Sequence, residues 1–121
     1  MEIGVITGDI TALEVDAIIV NLFEGIKRPG GATGAVDVAL DGAITRLIED
    51  GEITGKRSEM TLIHTLGMMP TPRVVVAGLG KQERFSAEGI RQVMGEAGRF
   101  IRKPGVRRAV MACAISVRRI T

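Results

Sequence analysis

The 121-residue sequence has no tryptophan and no tyrosine, and its only aromatic side chains are Phe23, Phe85 and Phe100. That scarcity leaves no aromatic stacking platform for single-stranded nucleic acid, and it predicts an aliphatic core. Cys113 is the single cysteine and His64 the single histidine. One cysteine excludes an internal disulfide and a cysteine-based zinc site, and it fits a reducing compartment. His64 falls in a predicted strand with no further His or Cys to join it, and reads as a satisfied sheet residue. No apolar run reaches 18 residues, so no membrane span is predicted. The start Met1-Glu2-Ile3-Gly4 lacks the basic start and apolar core of a signal peptide, which makes the cytoplasm the expected location.

Motifs for covalent chemistry are missing too. Ser58, Ser86 and Ser116 lie in no Gly-x-Ser-x-Gly elbow. Cys113 sits inside an apolar run, where a buried thiol is usually packing. Asp37 and Asp41 share a predicted helix face, where they are read as meeting water rather than as a metal pair. No catalytic residue, metal ligand or cofactor is assigned to this chain.

What is present is enough for one domain with a real core, since 45% of the residues are apolar. The net charge of +2 hides an asymmetry. Residues 1–60 carry 11 acidic and 5 basic side chains, whereas residues 61–121 carry 3 acidic and 11 basic. Such a split suits either an acidic partner or halves that face each other. Arg107, Arg108, Arg118 and Arg119 could contact phosphates, but no nucleic-acid-reading motif accompanies them. Nucleic acid is therefore kept only as a third reading.

The pattern predicts an α/β fold with a mixed, mostly buried sheet of about five strands and two main helices. Predicted strands are Glu2–Thr7, the apolar run Val15–Val20, Met60–Leu66, Val74–Ala77 and Val106–Ile115. One helix is predicted over Gly34–Glu49, striped by Val36, Leu40, Ala43, Ile44, Leu47 and Ile48, with Asp37 in its first turn. A second starts after the N-cap Ser86, striped by Ile90, Val93, Met94, Ala97, Phe100 and Ile101, and ends at Lys103-Pro104-Gly105. Gly78-Leu79-Gly80 reads as a strand-end turn, because the third glycine of a dinucleotide fingerprint would fall on Glu83. A last strand with no following helix suggests a piece of something longer.

The candidate binding site is the turn Pro29-Gly30-Gly31-Ala32-Thr33-Gly34, which leads from a strand into a helix. Backbone N–H groups and the helix dipole there can hold an anion, and glycines let a ligand approach the backbone. Asp9 and Asn21 are placed at neighbouring strand ends, where ligands of open α/β sheets bind. The site residues are thus Asp9, Asn21, Gly30, Gly31 and Gly34, against the alternative of a tight turn that binds nothing.

Two resemblances follow from these residues. Gly8-Asp9-Ile10-Thr11, the run Val15 to Asn21 and the glycine turn resemble the start of a macro domain. That resemblance implies ADP-ribose binding, with Asp9 on adenine and Gly30, Gly31 and Gly34 around the diphosphate. Where macro domains commonly read Asn-Ala-Ala-Asn, this chain has Asn21-Leu22-Phe23-Glu24, which sets a carboxylate near that diphosphate.

A second resemblance covers nearly the whole chain. Gly34-Ala35-Val36-Asp37, Gly51-Glu52-Ile53-Thr54-Gly55-Lys56, Ile63-His64-Thr65-Leu66-Gly67 and Val74 to Lys81 resemble the N-terminal, macro-like domain of the leucyl (cytosol) aminopeptidase family. It implies that residues 1–121 form a single, incomplete N-terminal domain without the catalytic domain. The family's parent enzymes remove N-terminal amino acids with two divalent metals, zinc or manganese, held in a C-terminal domain. Its motifs Asn-Thr-Asp-Ala-Glu-Gly-Arg and Phe-Asp-Ser-Gly-Gly do not occur in this sequence. The expected role is scaffolding, with the catalytic domain and sibling subunits of a hexamer as partners. A stand-alone binder of ADP-ribose or a related nucleotide is the alternative.

Overall fold

The structure is a computed structural model that describes residues 10–111 and the backbone of residues 2–5. Asp9, Cys113, Ser116, Arg118 and Arg119 lie outside the described residues, as does the end of the last predicted strand. The described chain runs β1 (Glu2–Val5), a 3-10 turn, β2 (Ala17–Phe23), α1 (Gly31–Ala39), α2 (Ala43–Glu49), β3 (Met60–His64) and β4 (Arg73–Gly80). A second 3-10 turn, α3 (Ala87–Ile101) and β5 (Arg108–Met111) follow.

The strands form one sheet in the order β1-β5-β2-β4-β3. The pairs β1/β5, β5/β2 and β2/β4 are parallel, and β3 runs antiparallel along β4. Central parallel strands are covered on both faces, which explains the unbroken apolar runs of β2 and β4. Their side chains alternate between two cores. Ile18, Val20, Leu22, Val74 and Val76 pack with Val36, Leu40 and Ile44 of the α1/α2 layer. Ala17, Ile19, Val75, Ala77 and Leu79 pack with Val93, Ala97 and Ile101 of α3. The charge split does not follow this layering: α3 carries Glu88 and Glu96 against Arg91 and Arg99, and much of the second half's basic excess lies after it, at Arg102, Lys103, Arg107 and Arg108.

Polar side chains lock the edges of this arrangement. The Asp16 carboxylate accepts the backbone N–H groups of Arg107 (2.8 Å) and Arg108 (2.9 Å). The Asp16 N–H in turn donates to the Arg108 carbonyl. One side chain thereby sets β5 beside β2. Thr71, fully buried, donates to the Leu13 carbonyl at 2.8 Å and accepts from the Val15 N–H. Thr65 donates to the Thr71 carbonyl, so the β3–β4 turn is fastened under the entry to β2.

Four expectations need correction. The helix predicted over Gly34–Glu49 is two helices, giving three in place of two main ones. Asp41 and Gly42 adopt φ of +58° and +80°, which a continuous helix cannot contain. The apolar stripe continues across the break because both helices face the same core. Asp37 lies in the last turn of α1, not a first turn, and its carboxylate accepts the Thr45 N–H (3.0 Å) and hydroxyl. It thus caps α2 from outside, where the preceding Gly42 has no side chain to do so.

Gly78-Leu79-Gly80 continues β4 rather than ending it. Residues 55–59 run alongside and supply partners: Ser58 N–H to the Gly78 carbonyl, Gly78 N–H to the Glu59 carbonyl (2.7 Å), and Gly80 N–H to the Gly55 carbonyl. In α3, Ser86 caps as predicted by accepting the Gly89 N–H. Phe100, however, is 43% exposed, and Gly98 takes a buried place on the helix.

Candidate functional site

The glycine turn joins β2 to α1. The helix begins at Gly31, so Gly31-Ala32-Thr33-Gly34 form its first turn rather than an open loop ahead of it. Gly30 is the N-cap, extended and without a side-chain cap bond. Thr33, buried, donates its hydroxyl to the carbonyl of Asn21 at 2.7 Å, tying the first helical turn to β2. Gly34 is required sterically: a Cβ there would lie 2.6 Å from the Pro29 carbonyl oxygen.

Of the site residues predicted from sequence, Asn21 is buried near the end of β2, and Gly30 and Gly31 are exposed at the start of α1. Gly34 is packed against Pro29. Thr33 is the residue that the sequence reading missed, although its hydroxyl sits in the middle of the glycine turn. Glu24 stands at the ends of β2 and β4, lining a pocket of about 220 Å³ with Arg57, Lys81 and Arg84. Phe23 meets Phe85 edge-on beside it, with ring centroids 5.2 Å apart.

Among the described residues, two carboxylates have pKa values lowered from the ordinary value, and each holds backbone. The Arg107 N–H, then the Arg108 N–H, lower that of Asp16, with the charges of Arg73 and Arg107 assisting. Burial pushes Glu59 upward, but the Gly55 N–H and the hydroxyl and N–H of Thr54 outweigh it, leaving the group below normal. Glu59 accepts from Thr54 and Gly55 at 2.8–3.2 Å and so shapes the loop that flanks β4.

His64 ends β3 and is exposed, paired in register with Arg73. Arg107 and Arg108 are exposed as well, with their N–H groups committed to Asp16. Among the described residues, no three His, Cys, Asp or Glu side chains gather as a metal-ligand set. The described residues therefore offer no ligand set for a dinuclear metal centre. No helix among the described residues is long and apolar enough to cross a membrane.

Comparison with known proteins agrees with the fold and the motifs. Residues 19–120 match the cytosol aminopeptidase family, N-terminal domain. A probable cytosol aminopeptidase of Geobacter sulfurreducens is 36% identical over 109 residues, covering 90% of this chain and 22% of that protein. Among solved structures, a mutant of tomato leucine aminopeptidase superposes with a TM-score of 0.68 at 15% identity, over 94% of this chain and 23% of that one. The macrodomain of Mycobacterium tuberculosis DarG has the same general fold, with a TM-score of 0.54 at 14% identity, over 90% of this chain and 96% of that one. The chain thus spans about a fifth of the length of the curated relatives it matches. With a match over most of its length and more than a third of aligned residues identical, the chain belongs to the cytosol aminopeptidase family, where it corresponds to the N-terminal domain.

Proposed function

We propose that this chain is a non-catalytic scaffold for a metal-dependent aminopeptidase. Its partner is a catalytic domain that removes N-terminal amino acids from peptides and carries two divalent metals, zinc or manganese. Sibling subunits of a hexamer are further partners, met through the basic second half of the chain, and the location is the cytoplasm. The observation that carries this reading is the family match over residues 19–120 in a chain that spans about 22% of its relative.

The electrostatics support it. Among the described residues, the two carboxylates with lowered pKa values, Asp16 and Glu59, both bind backbone N–H groups. Catalytic groups are perturbed in the service of a substrate, whereas these serve the chain. The glycine turn has a structural task in this reading, because Thr33 and Gly34 join β2 to α1.

The test is hydrolysis of a leucyl amide by the purified chain with Mn²⁺ or Zn²⁺, beside copurification with the remainder of a relative's chain. No turnover above buffer, together with copurification, is expected. Metal-dependent turnover by the chain itself would overturn the reading. So would saturable ADP-ribose binding tighter than about 10 μM without any copurification.

A further inference from the structure

A cleft of about 540 Å³ opens between the loop after β2, just ahead of the glycine turn, and the C-terminal end of α2. Its volume lies in the range of small-molecule sites, roughly 300–1,000 Å³. The floor is aliphatic: Ile53 is fully buried, and Ile26 and Ile48 are half-buried against the α1/α2 core. The rims are charged with opposite sign, exposed Lys27 and Arg28 on the loop and exposed Glu49 at the end of α2.

Among the described residues these charges have no side-chain partner. Neither Lys27 nor Arg28 forms an ion pair or hydrogen bond with Glu49. The neutral polar side chains of the cleft are already used, Thr45 on Asp37 and Thr54 on Glu59. Recognition there falls to the three charges and the aliphatic floor.

Glu49 is also misplaced for helix stability. It lies at the negative end of the α2 dipole, followed by Asp50 and Glu52. Arg46, the basic residue of that last turn, is turned toward the Asp41 carbonyl and does not offset the end. A cation entering the cleft would meet Glu49 and the helix terminus together.

We propose that this cleft binds a zwitterion with an aliphatic side chain, either a free α-amino acid or a short peptide. Its carboxylate meets Lys27 and Arg28, its ammonium meets Glu49, and its side chain covers Ile26, Ile48 and Ile53. The two charges of an α-amino acid lie about 3 Å apart, and a charge-assisted hydrogen bond at each end extends the reach to about 8 Å. Such a ligand would offer each rim an opposite charge over the aliphatic floor. The inference is independent of the scaffold role.

The test is methyl NMR of the 121-residue chain titrated with L-leucine, L-leucyl-L-leucine and the neutral N-acetyl-L-leucinamide. Saturable shifts at Ile26, Ile48 and Ile53 are expected with a zwitterion, at about millimolar Kd, and about tenfold weaker with the neutral analogue. Ile19 and Ile101, in the opposite core, stay unmoved and report an intact fold. Glu49→Gln and the double change Lys27→Gln, Arg28→Gln each weaken binding about tenfold. The tighter of the two zwitterions identifies the source as amino acid or peptide. Absence of saturable shifts up to about 50 mM, equal binding of the neutral analogue, or variants that bind like the parent would each overturn the proposal.

Discussion

Replacing Asp37 by alanine should cost more than any other single surface-proximal change at the α1–α2 junction, and the structure sets the size. Asp37 is 9% exposed, and its two carboxylate oxygens accept the N–H and hydroxyl of Thr45, the third residue of α2. Loss of a helix cap costs about 1 kcal/mol. Loss of a negative charge at a helix start adds about 0.5 kcal/mol, and the half-buried Thr45 hydroxyl left unbonded adds about 0.5 more. The total is about 2 kcal/mol. With a urea m value of about 2 kcal/mol per molar, the unfolding midpoint falls by about 1 M. Asp37→Asn keeps one acceptor and should lose about half as much. A double-mutant cycle with Thr45→Ala isolates the hydroxyl contact, with a coupling of about 0.5 kcal/mol expected. A coupling indistinguishable from zero, or a midpoint unmoved by Asp37→Ala, would refute the assignment of Asp37 as the cap of α2.

Two further outcomes follow from the same geometry. At Gly78 a Cβ would lie 2.0 Å from the Lys56 carbonyl oxygen. Gly78→Ala therefore lowers stability by about 3 kcal/mol, seen as a thermal midpoint about 10 °C lower. In exposed Gly95 of α3 the nearest atom to a Cβ is 3.6 Å away, so Gly95→Ala raises stability by about 1 kcal/mol; equal effects at the two sites would contradict the packing described. Asp16 and Glu59 both have folded pKa values below their unfolded ones. Their stabilisation is complete above the unfolded values and is lost as pH falls through the folded ones, so unfolding free energy declines from about pH 5 downward. Glu59→Gln removes one contributor and flattens that decline, which urea titrations across this range measure; an unchanged slope would count against Glu59 as an acid-sensitive group.

Much of the architecture was legible because burial imposes a period. Val93, Ala97 and Ile101 recur at helical spacing behind the Ser86 cap, and α3 forms there. The run Ala17–Leu22 is apolar at nearly every position because both faces of β2 are covered. The break between α1 and α2 was hidden by its own packing. Leu40 and Ile44 stay in register with one core across Asp41-Gly42, and only the turn chemistry of those two residues marked the break. The full length of β4 could not be read locally, since Gly78 to Gly80 are held as strand by residues 55–59. The glycine turn was visible as a shape, but Thr33's bond to the Asn21 carbonyl depends on a fold that brings α1 onto β2. The cleft beside α2 was equally hidden, because Lys27, Arg28 and Glu49 are brought together only by tertiary structure.

The alternation along β4 bears on how this sequence can vary. Val74 and Val76 belong to one core, while Val75 and Ala77 belong to the other. Neighbours in sequence are thus separated by the sheet, and residues far apart in sequence share a compartment. A volume change at Val75 is answered by α3, through Val93 or Ala97, and leaves Leu40 and Ile44 undisturbed. The two faces of the domain can therefore drift separately, each layer of helices exchanging substitutions with its own side of the sheet.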